Sequence, residues 1–247
     1  MNMKDADFSA LNASTFEKLT SAEPAFEPRE GNIPPFSDIL EQAKAHFSSS
    51  KGSHGWDHTI RVHRLCLTIG RKEGADLHVL SIASLLHDIG RCYQDNSKGA
   101  VCHARKGVEM AKSLVEPLSL TNDQKKNILH CIASHRFRKN NPPKTLEAKI
   151  LFDADKIDAI GAVGIARAFL FAGEVGARLH APELSIEETE PYSVNDTGYR
   201  EYVVKLSKIK DRILTEEGKK IAFQRHEFMK RFFAQFIYEI EERDNAK

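Results

Sequence analysis

No apolar run in the 247 residues approaches the roughly 18–20 that a membrane span requires. The chain also lacks an excess of either charge: 36 Lys+Arg stand against 35 Asp+Glu, a formal net charge of +1. A general nucleic-acid binder carries a basic excess, so no nucleic-acid polymer is expected as partner. A local basic pocket for a phosphate ligand is still compatible with this balance. Cysteine is scarce. Cys66, Cys92, Cys102 and Cys131 are scattered, without a Cys-x-x-Cys spacing, and carry little functional information. Met1 to Ala10 contain Lys4, Asp5 and Asp7 and no apolar core, so no signal peptide is read there. The expectation is a cytoplasmic protein with free thiols. Absent too are the phosphate loop GxxxxGK[ST] and a GxGxxG after a strand, and the nucleophile elbow GxSxG.

The composition present, 41% hydrophobic and 29% charged, is that of a soluble globular chain. A chain of this length buries about three quarters of its unfolded surface, so it needs no disulfide or metal to fold. Residues 1–35 are polar, with Pro24, Pro28, Pro34 and Pro35. They read as a partly disordered arm in which Phe8, Leu11, Phe16 and Leu19 could form one short helix. From residue 36 to 247 apolar positions recur with helical spacing and no linker intervenes. The expected fold class is all-α, one helical bundle domain with additional C-terminal helices.

Asp57 is expected to cap a helix reaching Lys72, and Asp76 one running to Ile89 with Gly90 as its stop. The latter is apolar on nearly every side, so it must be central. A helix is expected over 103–116. Thr121-Asn122-Asp123-Gln124 reads as a capping box for a helix reaching Arg136. Helix resumes near Leu146 and is read as continuing past Ala172. A long loop over 181–198 precedes two C-terminal helices, at 199–214 and 217–242.

Eleven histidines in such a chain raise the question of which face inward. At 100° per residue, His58 shares a face with Val62, Leu65 and Ile69, whereas His63 reads as structural. His87 and Asp88 end the buried helix. A polar pair there costs several kcal/mol, on the order of 2–7, unless hydrogen-bonded, paired or ligated. His103 aligns with Gly107, Met110, Ala111 and Leu114. His135 aligns with Ile128 and Ile132, while His130 points outward. His226 lies on a packing stripe, and His54, His78 and His180 fall in loops or flanks. Asp155 falls with Leu151, Ala159, Ala162 and Ala166, with Asp158 on roughly the same side and Lys156 and Arg167 pointing elsewhere. The inward set is His58, His87, Asp88, His103, His135 and Asp155. Nitrogen and oxygen donors from separate helices suit Mn, Fe, Co, Ni or Zn rather than a structural cysteine zinc site.

These residues resemble the HD-domain superfamily of metal-dependent phosphohydrolases, whose signature is a His, a His-Asp doublet and a distant Asp. Here it reads Trp56-Asp57-His58, then Leu86-His87-Asp88-Ile89-Gly90, then Asp153-Ala154-Asp155-Lys156. The stretch Leu146 to Ala162 is similar to a bacterial subgroup of small stand-alone members, some of which are nucleotide pyrophosphohydrolases. The resemblance covers about residues 37–242. It implies that His58, His87, Asp88 and Asp155 are ligands of a divalent ion (Mn, Ni, Co, Fe, Mg or Zn). Asp155 is preferred to Asp153 for its Ala-Asp-basic context and its inward face. His103 and His135 match, in order, the histidines that fill a second site in two-metal members. His135 is single where those members often carry a pair.

The chemistry implied is hydrolysis of a phosphoester or phosphoanhydride. Asp88 would orient or deprotonate the water, and His103 or His135 would act as general acid. Arg91 and Arg136 are the expected phosphate contacts, among flanking cations that include Lys98, Arg105, Arg138 and Lys139. The 181–198 loop, with Tyr192 and Tyr199, could cover a base. The substrate expected is a small phosphate ester, most concretely a nucleoside triphosphate cut to monophosphate and pyrophosphate. A monophosphatase or phosphodiesterase on the same scaffold, and a metal- or nucleotide-binding regulatory protein without turnover, are the alternatives. A homo-oligomer is compatible with the sequence.

Overall fold

The computed structural model describes residues 36–47, 55–97, 100–136 and 141–241. The arm expected over 1–35, with its short helix, and residues 48–54 lie outside the described residues. Helices follow one another as α1 (Phe36–Ala45), α2 (Trp56–Glu73), α3 (Leu77–Leu86), α4 (Arg91–Asn96), α5 (His103–Val115), α6 (Asn122–Ser134), α7 (Leu146–Asp158), α8 (Gly161–Glu174), α9 (Gly198–Val204) and α10 (Glu216–Ile240). Two short 3-10 segments, Ile186–Glu188 and Leu206–Arg212, flank α9. Among the described residues there is no strand, and no helix is long and apolar enough to cross a membrane. The chain is all-α.

α3 is the central element. Every residue from Val79 to Leu86 is buried, and α1, α2, α6 and α7 pack around it. Its start is set by Asp76, whose carboxylate accepts from the N–H groups of His78 and Val79 at 2.9 and 3.2 Å. α3 stops at Leu86, three residues before the expected end, so His87 and Asp88 sit in the turn that follows it. That turn stays buried, and polar side chains from several helices meet there. Asp57 is not a cap: Gly55 occupies the N-cap of α2, and Asp57 lies in its first turn. The box at Thr121 forms as read, Gln124 N–H donating to Thr121 Oγ1 and Thr121 N–H to Gln124 Oε1.

Two glycines decide geometry around the site. A Cβ on Gly90 would stand 2.4 Å from the His103 carbonyl oxygen and 2.6 Å from the Gly107 nitrogen. Only a bare Cα lets the turn after α3 touch the start of α5 this closely. Gly161 has φ +81°, in the left-handed region that favours glycine. It ends the helix read as continuous from Leu146 past Ala172, which is instead α7 and α8. Ala162 and Ala166, placed by the sequence on the inward face of Asp155, are therefore exposed. The α4 helix was not foreseen. The C-terminal helix is anchored by Asp153, fully buried, whose carboxylate accepts from the N–H of Leu214 and from the N–H and hydroxyl of Thr215 at 2.7–2.9 Å.

Candidate metal centre

Side chains from five parts of the fold meet at Asp88. His58 comes from the first turn of α2, His87 and Asp88 from the turn after α3, His103 from the start of α5, His135 from the C-cap of α6, and Asp155 from the last turn of α7. His58 Nε2 lies 3.5 Å from Asp155 Oδ1 and 4.0 Å from Asp88 Oδ2. His87 Nε2 lies 3.9 Å from Asp88 Oδ2. On the other side of the same carboxylate, His103 Nε2 and His135 Nε2 stand 3.3 and 3.5 Å from Asp88 Oδ1. Two donor groups result, His58–His87–Asp88 and Asp88–His103–His135, each with its ligand atoms within 4.8 Å of one another. Asp155 touches the first through His58. Asp153, in contrast, spends its carboxylate on the start of α10.

The outer nitrogen of each ring decides what the inner one can do. His87 Nδ1 donates to the Ser84 carbonyl and His135 Nδ1 to the Ile132 carbonyl, both at 2.7 Å. His103 Nδ1 donates to Gln94 Oε1 at 2.8 Å, an oxygen that also receives Arg136 Nη1 at 2.8 Å. His58 Nδ1 donates to Asp158 Oδ2 at 2.7 Å. A carbonyl or carboxylate oxygen only accepts, so each ring carries a proton on Nδ1. In the neutral rings Nε2 then presents a lone pair to the acidic centre. His103 Nε2 and His135 Nε2 are only 3.1 Å apart. His87 Nε2, with a side chain 0% exposed, has no hydrogen-bond partner among the described residues.

Lone pairs converging on carboxylates repel unless a cation or a shared proton lies among them. The buried, partnerless His87 Nε2 is the clearest sign that the cation is a metal ion. Imidazoles whose outer N–H is tied to an acceptor are the arrangement found around metals in proteins. The donor set, nitrogen and carboxylate oxygen without sulfur, fits a divalent first-row ion.

Electrostatics agree with this layout. Burial pushes His87 down to about 4, with Asp88 only partly opposing it. Burial likewise pushes His103 down to about 3, Asp88 opposing and the charges of Arg91 and Arg136 adding to the fall. Burial opposes charge on His58 as well, but hydrogen bonds to Asp155 and Asp158 outweigh it and raise the ring to about 9. Burial disfavours the Asp88 and Asp155 carboxylates, yet the His87, His135 and His103 rings around Asp88, and Lys156 and His58 beside Asp155, hold both well below the ordinary range.

Arg136 is half-buried on Gln94, and Arg91 is half-buried at the start of α4. Arg105 is exposed, and Lys98, Arg138 and Lys139 lie outside the described residues. Lys156 and Arg167 do not point away. Lys156 Nζ donates to Asp155 Oδ2 at 2.7 Å, and Arg167 Nη1 donates to Asp158 Oδ2 at 2.6 Å. The break at Gly161 lets Arg167 of α8 reach back to the last turn of α7. His63 is buried against Ser84, and His226 is buried. His130 is half-buried and belongs to neither donor group, its Nε2 accepting from the Lys144 N–H at 2.9 Å. Tyr199 packs with Tyr202 and Phe233, and Tyr192, 77% exposed, sets its ring edge against Phe171. Neither tyrosine joins the centre.

Sequence reasoning missed Gln94 and Arg61. Gln94 belongs to the unforeseen α4. Arg61 was legible in principle, three residues after His58 on the same face of α2.

A family model for the HD domain matches residues 55–160. The uncharacterized protein YpgQ of Bacillus subtilis (strain 168) is 32% identical over 197 residues, covering 78% of this chain and 87% of that one. The crystal structure of B. subtilis YpgQ in complex with ADP aligns at a TM-score of 0.65 and 28% identity, over 84% of this chain and 98% of that one. An HD-superfamily hydrolase from Bacillus thuringiensis aligns at 0.67 and 27%, over 84% and 97%. With its His, His-Asp and Asp side chains gathered on one centre, this chain belongs to the HD-domain superfamily of metal-dependent phosphohydrolases.

Proposed function

We propose that the protein hydrolyses a nucleoside triphosphate to the monophosphate and pyrophosphate. The observation that carries a hydrolytic reading is the convergence of imidazole Nε2 lone pairs on Asp88. That the ligand is a nucleotide is supported by the similarity to YpgQ, which binds ADP in its crystal structure. His58, His87, Asp88 and Asp155 would hold the divalent ion. When bound, such an ion lowers the pKa of a coordinated water and polarises a phosphoryl oxygen.

The chain's own residues do the rest. Arg91 and Arg136, on the His103 side, take phosphate oxygens, Arg136 steadied by Gln94. Asp88, with Oδ1 turned to His103 and His135, orients the attacking water. The water forms a bond to the α-phosphorus, the α–β anhydride P–O bond breaks, and pyrophosphate leaves with the electron pair. His103 and His135 turn Nε2 atoms that stand 3.1 Å apart toward Asp88, so with one proton shared between them a lone pair is left. Their part is to accept the water's proton rather than to begin as general acids. The same two rings with Asp88 form the second donor group, which favours a second reading in which they hold a second ion. Metal stoichiometry separates the two: one equivalent per chain leaves the rings as bases, and two make them ligands.

The test is a screen of nucleoside tri-, di- and monophosphates with Mn(II), Mg(II), Co(II), Ni(II) and Zn(II). Pyrophosphate with monophosphate is the expected product pair. Release of inorganic phosphate alone would overturn the reading in favour of a phosphatase. Nucleotide binding with no turnover across the panel would make the protein a regulatory binder.

A further inference from the structure

Asp158 stands outside the proposed ligand set, yet it is the most heavily bonded carboxylate beside it. Its side chain is 1% exposed. Oδ2 accepts from His58 Nδ1 at 2.7 Å and from Arg167 Nη1 at 2.6 Å. Oδ1 accepts from Arg61 Nε at 2.8 Å, and Arg61 Nη2 reaches Oδ2 at 3.1 Å. Two arginines from different helices, α2 and α8, therefore hold both oxygens of one carboxylate on α7. A carboxylate restrained in this way can face His58 in only one orientation.

The consequence falls on His58. His87, His135 and His103 rest their outer N–H on neutral acceptors, two backbone carbonyls and an amide. Among these four rings His58 alone rests it on an anion. An anionic acceptor keeps the proton on Nδ1, aims Nε2 inward and makes that nitrogen a better electron donor. Arg167 lies beyond the segment matched by the HD family model, which ends at residue 160. The clamp is thus completed by an element outside the matched core.

We propose that Asp158, locked by Arg61 and Arg167, is a positioning residue that sets the tautomer and aim of His58 and so the affinity of the centre for its divalent ion. This rests on the metal reading given above. The competing reading is that the cluster only staples α2, α7 and α8 together.

The two are separated by titrating Mn(II) and Zn(II) into metal-stripped, full-length protein by calorimetry, with no substrate present. Asp158→Asn, close in shape, is expected to weaken metal binding about 10- to 100-fold, the usual cost of an outer-partner change, with the far-UV CD spectrum unchanged. In a His58→Ala background the same substitution is expected to cost nothing further, because its effect passes through that ring. Should Asp158→Asn fail to fold, Arg167→Gln keeps the carboxylate and loosens its clamp, and a smaller loss in the same direction is expected. Wild-type affinity in the folded Asp158→Asn or Arg167→Gln protein would overturn the proposal, as would an equal loss with and without His58. A wild type that takes up neither ion would overturn the metal reading and this proposal with it.

Discussion

For the single side chain, the centre is a set of rings whose outer nitrogens are all spoken for. His87→Ala removes a fully buried Nε2 that has no hydrogen-bond partner among the described residues. It is expected to lower bound metal by more than about 100-fold, beyond the range of an outer-partner change, with helicity retained. Metal analysis together with far-UV CD checks this. Gln94→Leu is a different lesion. It leaves Nδ1 of His103 without its acceptor and Arg136 without its support. The His103 ring is then free to exchange tautomers, visible as ¹⁵N imidazole shifts, and kcat/KM for the best substrate of the screen is expected to fall about 10- to 100-fold. The inward face of His58 was legible because Val62, Leu65 and Ile69 repeat at helical spacing. The partners of the rings were not, because a carbonyl three residues back or a glutamine on another helix leaves no periodic trace.

Between elements, the site depends on how closely the turn after α3 meets α5. Gly90→Ala would press a methyl against the His103 carbonyl and the Gly107 nitrogen, both backbone. Neither can rotate aside. The two segments must separate, at a cost of about 1–3 kcal/mol typical of overpacking, and His103 moves off Asp88. A lower denaturant midpoint together with reduced metal uptake is the expected result; loss of stability with full metal uptake would show that His103 does not depend on this contact. Two helix starts, at Asp76 and at the Thr121 box, were marked in the sequence, since a cap is a local hydrogen bond, whereas Asp57 does not cap α2. The break at Gly161 was not, because Ala159-Ile160-Gly161-Ala162 continues an apolar pattern and a glycine inside such a pattern is often tolerated.

Across the protein, the histidines make stability depend on pH in two opposite senses when metal is absent. His63, His87 and His103 are buried and held near 4, 4 and 3, below the ordinary 6.5. Between those values and 6.5 the unfolded chain binds more protons, so stability is lost as pH falls through that window. His58, raised to about 9, does the reverse: its contribution is full below 6.5 and is lost as pH rises toward 9. Metal-free protein is therefore expected to be most stable near about pH 6.5, the ordinary histidine value, with the steeper decline on the acid side, where three groups act against one. Melting curves across pH 4.5–9 in chelator test this; a monotonic rise to pH 9 would contradict the raised His58. The all-α class, the buried central helix and the identity of the inward imidazoles follow from residue order, because period, capping and burial cost operate over a few positions of chain. The sharing of Asp88 by two groups of rings, the clamp on Asp158 and the return of Arg167 required the folded chain. His58 and Asp158 are 100 positions apart and His103 and His135 32, and contacts across such separations are set by how helices pack, which no local pattern encodes.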